Sequence, residues 1–301
     1  PEAPQRELLS VPTDRLVMSL LRSQSSIWLG LVVVALVVAG VVFQQPGVML
    51  GLAPAVLGAL GAQWSSFTRG FAFRVAQSPD GVRLRHGLLE SRSQTVPPGR
   101  VQAIQLSQPL LWRGRDWWRV DINVAGYGSG GEGQVVETTL LPVGTRAEAL
   151  GVVSLVLPDL GVDSPRALLD AGLTGTTPDA GFTCAPPSSV WVDPVSWRRN
   201  GFRVTPRALV LRRGRVTRRT VLVPHERTQS LGLRQGPLQR RLRLASMHVH
   251  STPGPVSPVV DHLEQSVAAA LLHEQSDRAR HARSLAGPEQ WMSARPPRPD
   301  S

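Results

Sequence analysis

The densest group of side chains able to do chemistry lies at Trp112, Arg113, Arg115, Trp117, Trp118 and Arg119, where indoles alternate with guanidiniums. That mixture suits a headgroup interface or a protein contact, because both side chains pair an apolar body with a polar tip. Trp112, Arg115, Trp117 and Trp118 are therefore expected at an interface, with core packing as the competing reading for the tryptophans. His248 and His250, two residues apart, share one face of a strand, and His262 lies close enough in sequence to join them as zinc ligands. The positions 127 residues earlier hold Asp121 and Asn123 around Ile122. An outward polar face accounts for both places, and no metal site is expected. Gly126-Tyr127-Gly128-Ser129-Gly130-Gly131 spells a dinucleotide fingerprint, but a strand-like Val135–Leu141 follows in place of the helix that must hold a pyrophosphate. A hairpin loop is the better reading.

All 33 basic residues are arginine, which excludes Walker-type phosphate loops and Schiff-base chemistry. The chain has no His-Glu-x-x-His, no Gly-x-Ser-x-Gly and a single cysteine, Cys184. No catalytic residue and no cofactor is expected, and the lone thiol agrees with a reducing compartment.

The net charge of +11 is concentrated: between residues 197 and 250 fourteen Arg stand against Glu226 alone. Such a density predicts a polyanionic partner. Arg212, Arg213, Arg215, Arg218 and Arg219 are the residues expected to face an anionic surface. Aromatics for stacking bases are scarce there, only Trp197 and Phe202, so nucleic acid is disfavoured against anionic lipid headgroups or a partner protein. The competing reading is an arginine-rich solvated sheet.

These residues sit on two copies of one module. Leu84–Arg113 aligns without a gap on Leu211–Arg240, with identities that include Leu84/Leu211, Arg85/Arg212, Gly87/Gly214, Arg92/Arg219, Pro97/Pro224, Arg100/Arg227, Gln102/Gln229, Gln108/Gln235, Leu111/Leu238 and Arg113/Arg240. The repeated arginines are expected to brace turns. In each copy alternating apolar residues predict short antiparallel strands (Phe71–Val75, Val101–Gln108, Trp118–Val124 and Val135–Leu141 in the first), with Phe202 and Val204 echoing Phe73 and Val75 after a two-residue shift. The capping box Thr145-Arg146-Ala147-Glu148 opens a helix that Pro158 stops. In the second copy Pro258 is expected to open a helix running to about Arg283, through Val260, Leu263, Val267 and Leu271.

From Ser23 to Thr68, 46 residues pass without a charged side chain. The turn Gln44-Gln45-Pro46-Gly47 divides them into Ile27–Phe43 and Val48–Trp64, each roughly 25 Å as a helix and near the lower limit for the hydrocarbon core. Trp28 and Trp64 are placed as interfacial anchors, and arginines flank the pair while none enters the turn. A transmembrane hairpin with both ends cytoplasmic is the expectation. The expected organisation is a lead-in over 1–26 with irregular residues 1–12 and a short amphipathic helix capped by Thr13, the hairpin over 27–64, a first domain over 69–157, a mobile Pro/Gly-rich linker over 158–190 with a helical turn at Arg166–Ala171, a second domain over 191–283 and a disordered tail over 284–301.

The repeated pattern, Pro97-x-x-Arg100-x-Gln102-x-Ile104-x-Leu106-x-Gln108 and Pro224-x-x-Arg227-x-Gln229-x-Leu231-x-Leu233-x-Gln235, resembles the bacterial pleckstrin-homology-like domains of membrane-flanked proteins of the YdbS/YdbT type. The resemblance implies two α+β domains, each a bent antiparallel sheet or barrel capped by a C-terminal helix, beside a membrane α-helical hairpin. It also implies further sequence before Pro1. The expected function is a multi-pass plasma-membrane scaffold that senses anionic lipid or recruits membrane-protein partners at the inner leaflet, in envelope stress. The alternative is an accessory subunit of a transporter or enzyme complex.

Overall fold

A computed structural model describes residues 6–43, 46–78, 81–88, 92–125, 138–252 and 254–285. The chain divides into two compact units, and the division cuts across the repeats. The first unit is Pro1–Pro97, Leu106–Asp121 and Val135–Leu155; the second is Pro98–Gln105, Ile122–Gln134 and Val156–Ser301.

In the first unit β1 (Arg6–Ser10), β2 (Arg74–Ser78), β3 (Gly81–His86) and β4 (Arg92–Val96) form an antiparallel sheet in that order. Residues 1–12, expected to be irregular, thus contain a strand, with Glu7 opposite Ala76 and Leu9 opposite Val75 across a bulge. Three helices are inserted between β1 and β2: α1 (Thr13–Leu21), α2 (Gln24–Phe43) and α3 (Pro46–Gly70). Pro12, not Thr13, holds the N-cap position of α1. Pro46 begins α3, where its missing N–H costs nothing, and Gln63 donates across to Ser26 on α2 at 2.6 Å. The strand β5 (Val101–Gln108), which belongs to the second unit up to Gln105, is followed by a 3₁₀ segment, Leu110–Arg115, then β6 (Trp117–Val124), which passes into the second unit at Ile122, β7 (Thr139–Thr145) and α4 (Arg146–Val156). The predicted capping box is present: Thr145 N–H donates to Glu148 Oε2 at 2.6 Å and Glu148 N–H to Thr145 Oγ1 at 3.3 Å. The glycine-rich stretch 126–133 lies outside the described residues, as does the tail beyond 285.

In the second unit the segment expected as a mobile linker supplies α5 (Pro165–Thr174), which contains and extends the helical turn expected at Arg166–Ala171, and the short strand β8 (Thr183–Cys184). Four strands follow the first repeat's plan: β8, β9 (Gly201–Val204), β10 (Ala208–Arg213) and β11 (Arg218–Pro224), with β5 along the outer edge of β11. Then come β12 (Ser230–Arg234), α6 (Pro237–Arg241), β13 (Leu244–His250), β14 (Val259–Glu264) and α7 (Gln265–Leu285), with β12, β13 and β14 as a three-stranded sheet. The register of β10 on β9 and β11 reproduces that of β3 on β2 and β4: Val75 faces Leu84 as Phe202 faces Leu211, and Leu84 faces Gln94 as Leu211 faces Val221. The expected two-residue shift is therefore absent, and Phe202 corresponds to Val75. Gly87 and Gly214 close equivalent turns with φ of +117° and +75°, a region that side chains rarely enter.

The helix predicted from Pro258 begins only at Gln265, and Val259–Glu264 is a strand. A bulge against β13, with His262 at φ +58°, brings Val260 and Leu263 to the same core although they are three residues apart. That spacing imitates a helix. The core of the second unit joins Leu209, Leu211, Val221, Val223, Ala245, Met247, Val249, Val260, Leu263 and Leu271 with Ala103, a residue of the first repeat.

Candidate functional site

The second unit presents its arginines from the β10–β11 turn. Side chains alternate across a strand, so Arg212 and Arg213 leave β10 in opposite directions. Arg213 is half-buried, 3.7 Å from Asp261 and donating to Ser257 O at 3.3 Å. It stands directly opposite Arg219 in the ladder. Partial desolvation, and after it the Arg213 charge, hold the Arg219 guanidinium below its ordinary pKa. Arg215 is exposed at the tip, where its N–H reaches Ser196 Oγ at 3.3 Å and so links the turn to the β8–β9 segment. That segment exposes Val190, Val195 and Trp191, the last at 75%, and the turn itself exposes Val216. Arg198 lies over the Trp197 ring at 5.3 Å. Sequence reading passed over Trp191 and Val216 because a Trp beside Pro187 and Pro194 reads as the start of a domain. The signal was an apolar side chain in a polar connecting segment.

Arg212, predicted on the anionic surface, is instead fully buried. Its guanidinium lies 4.3 Å from the Phe182 ring centroid and donates to Ala171 O at 3.0 Å, to Thr177 O and to Cys184 Sγ at 3.1 Å. Beside it the buried Arg199 donates to Gly172 O, Leu173 O and Gly175 O at 2.7, 2.8 and 2.8 Å. The two cations satisfy the open carbonyls at the C-terminus of α5, where positive charge is favoured. Arg212 thus fastens a helix onto the sheet, whereas its repeat counterpart Arg85 is exposed.

The aromatic cluster also moves inward. Trp112, Trp117 and Trp118 are all buried; Trp112 Nε1 donates to Ser19 O at 3.0 Å and Trp118 Nε1 to Asp116 Oδ1 at 2.9 Å. Trp112 meets Trp117 edge-on at 6.4 Å, while Arg115, over the Trp117 ring at 5.5 Å, and Arg119 stay exposed. Trp112 and Trp118 can be core because their indole N–H groups find acceptors inside.

His248 and His250 share the face that sequence predicts, stacked with centroids 6.2 Å apart, beside a 250 Å³ cleft lined by residues of the 251–258 loop. Desolvation holds His248 below the usual histidine pKa, with Asp261 opposing. His262 points elsewhere, its Nδ1 2.8 Å from Gln239 Nε2. Among the described residues no group of three or more His, Cys, Asp or Glu is placed to hold a metal ion. The counterparts Asp121 and Asn123 are buried, against the outward polar face expected of them. Asn123 clasps the 251–258 loop: Val256 N–H donates to its Oδ1 at 2.9 Å and its Nδ2 donates to Val256 O at 2.7 Å.

The pattern so assembled is four strands, three strands and a closing helix, given twice. A search of curated proteins finds no match. The profile of the family described as Bacterial PH domain matches residues 24–158 and, a second time, residues 152–279. These two matches span most of the chain and fall on the two structural repeats, so the chain belongs to the bacterial PH domain family.

Proposed function

We propose that this tandem bacterial PH protein is a membrane-anchored scaffold, with α2 and α3 crossing the plasma membrane and the β10–β11 turn facing anionic headgroups at the inner leaflet. PH domains are binding modules, and the role inferred is recruitment, not catalysis. Among the described residues no single helix is long and apolar enough to cross a membrane, while the bent pair Thr13–Leu21 and Gln24–Ala35, at 51°, passes that test together. Support for anchoring comes from the 46-residue uncharged run and from the apolar side chains that the helices expose, among them Trp28, Leu31, Val34, Val38, Leu57 and Leu60. The basic flanks favour cytoplasmic ends.

The observation that carries the lipid reading is that the turn exposes Val216 together with Arg215 and Arg219, and that the segment tied to it through Ser196 exposes Trp191. Apolar tips that enter the headgroup layer and cations that stay at its surface belong together, each basic residue near an anionic surface contributing about 1 kcal/mol. The accessory-subunit reading keeps one observation of its own: a Cβ at Gly30, Gly58 or Gly61 would meet nothing within 4 Å, so those helix faces are open to close packing by other spans.

Hydrogen exchange of the full chain in nanodiscs tests the proposal. Backbone amides of 190–195 and 214–219 should exchange more slowly over anionic than over zwitterionic lipid, and 1 M salt, with a Debye length of about 3 Å, should abolish the difference. Equal exchange in both lipids at low salt would remove the lipid reading and leave the protein scaffold.

A further inference from the structure

We infer that the cleft beside His248 and His250 binds a phosphate group, with the two imidazoles among its hydrogen-bond donors. The inference stands independently of the headgroup contact proposed for the β10–β11 turn. Both rings rise from one face of β13, because their positions are two residues apart on a strand. Gly232 on β12 is the ladder partner of His248, and His250 Nε2 lies 3.5 Å from where a Cβ on that glycine would sit. The glycine thus leaves room for the stacked pair. Ser251, Thr252 and Ser257 bring hydroxyls to the cleft wall. Buried Asn123 holds that wall through Ser251 Oγ and Thr252 O, each at 3.3 Å, besides its two bonds to Val256. A wall fixed in advance lowers the ordering cost of binding. Thr252 Oγ1 is buried without a hydrogen-bond partner among the described residues. Buried hydroxyls are as a rule paired, and a step between staggered rotamers re-aims one toward a ligand.

Charge selects the occupant. The charged and titratable groups acting on His248 are His250 on its own strand, Arg234 on β12, Arg213 on β10 and Asp261 on β14. Asp261 is already 3.7 Å from Arg213, and among the described residues no carboxylate pairs with Arg234. Paired imidazoles also suit a transition metal, but the surplus of guanidinium repels a cation and attracts an anion. A tetrahedral phosphate has acceptor oxygens enough for two rings and the neighbouring hydroxyls. Asp121 and Asn123 hold the counterpart positions, so the site belongs to the second repeat alone. Desolvation, with Asp261 opposing and His250, Arg234 and Arg213 adding to it, favours the neutral His248 ring. A bound dianion favours the imidazolium instead, so phosphate binding and protonation of the ring should be linked.

Magnetic resonance of the full chain in zwitterionic nanodiscs, with histidine rings isotopically labelled, tests this. Inorganic phosphate should move the His248 and His250 resonances where sodium chloride of equal ionic strength does not. It should also raise the pH at which His248 titrates, by about one unit if the imidazolium binds phosphate tenfold more tightly than the neutral ring. A second arm, in phosphate-free buffer, replaces part of the lipid with phosphatidic acid. Movement in the first arm supports the site with a soluble phosphate as its source; movement in the second alone supports it with a lipid phosphate. His250→Gln, at an exposed position, and Thr252→Val, which removes an unpaired hydroxyl, should each weaken phosphate binding about tenfold and leave the unfolding temperature close to the parent's. Rings that ignore phosphate in both arms, that respond equally to chloride, or that answer only to zinc would each overturn the proposal. Unchanged affinity in both variants would overturn it as well.

Discussion

At His225 a single buried ring fixes a corner of the second unit and makes it sensitive to acid. Nε2 lies 2.7 Å from Thr205 O and must carry the proton, while Nδ1 accepts from Gln275 Nε2 at 3.0 Å. Gln275 also donates to Thr228 Oγ1 at 3.2 Å, so one tautomer of a neutral imidazole completes the network. Desolvation, the largest cause, lowers the ring's pKa below 6.5, outweighing the hydrogen bonds that raise it. A depressed histidine pKa means that the unfolded chain binds the proton first. Stability contributed by the neutral ring is thus full above pH 6.5 and falls as the pH drops below it, toward the folded-state pKa. Chemical denaturation from pH 7.5 to 5 should show this loss, and His225→Gln should flatten it while lowering stability at neutral pH by about 1–3 kcal/mol. An unchanged pH profile in the variant would show that the ring is not the sensor. At this scale sequence reading identified chemically potent residues and misplaced several. Trp112, Trp118 and Arg212 carry polar tips that satisfy carbonyls or carboxylates inside the protein as readily as they would meet headgroups, and composition does not separate those uses.

Strands and helices were legible wherever partners lie close in sequence. The repeated Gly87 and Gly214 and the capping box at Thr145 were readable, since each is decided within a few residues. β1 was hidden because Arg6–Ser10 has no alternation to speak of and finds β2 only across three intervening helices. β14 was hidden because its bulge gives helical spacing to Val260 and Leu263. The largest omission is that Pro98–Gln105 and Ile122–Gln134, in the first repeat, build the second unit. Ala103 enters its core and Asn123 holds Val256 from both sides. A fragment of 158–285, a domain by its sequence pattern, should therefore expose the β11 edge and aggregate or exchange rapidly. One that begins at residue 98 should give slow-exchanging amides in β10, β11 and β13. Equal protection in the two fragments would show that the first repeat's strands are dispensable.

For the whole molecule, the sequence repeat and the structural unit are different objects. The alignment reveals how many modules were copied, and only the pairing of β5 with β11 reveals where one compact body stops. The helical insertion between β1 and β2 gives the proposed anchor a definite test of orientation. Its two ends belong to neighbouring strands of one sheet, so a reporter fused after Ser301 and one placed at Pro46 should lie on opposite sides of the membrane. Reporters on the same side would remove the crossing.

The borrowing of the first repeat's strands also sets a clock. During synthesis Val101–Gln105 leaves the ribosome well before β10, β11, β13 and α7, the elements whose core Ala103 joins. At ~5–20 residues per second the delay before Leu285 appears is roughly 10–40 s. For that interval a strand destined for complete burial has no second body to enter, and residues 98–105 and 122–125 become the stretch of the nascent chain most in need of shelter.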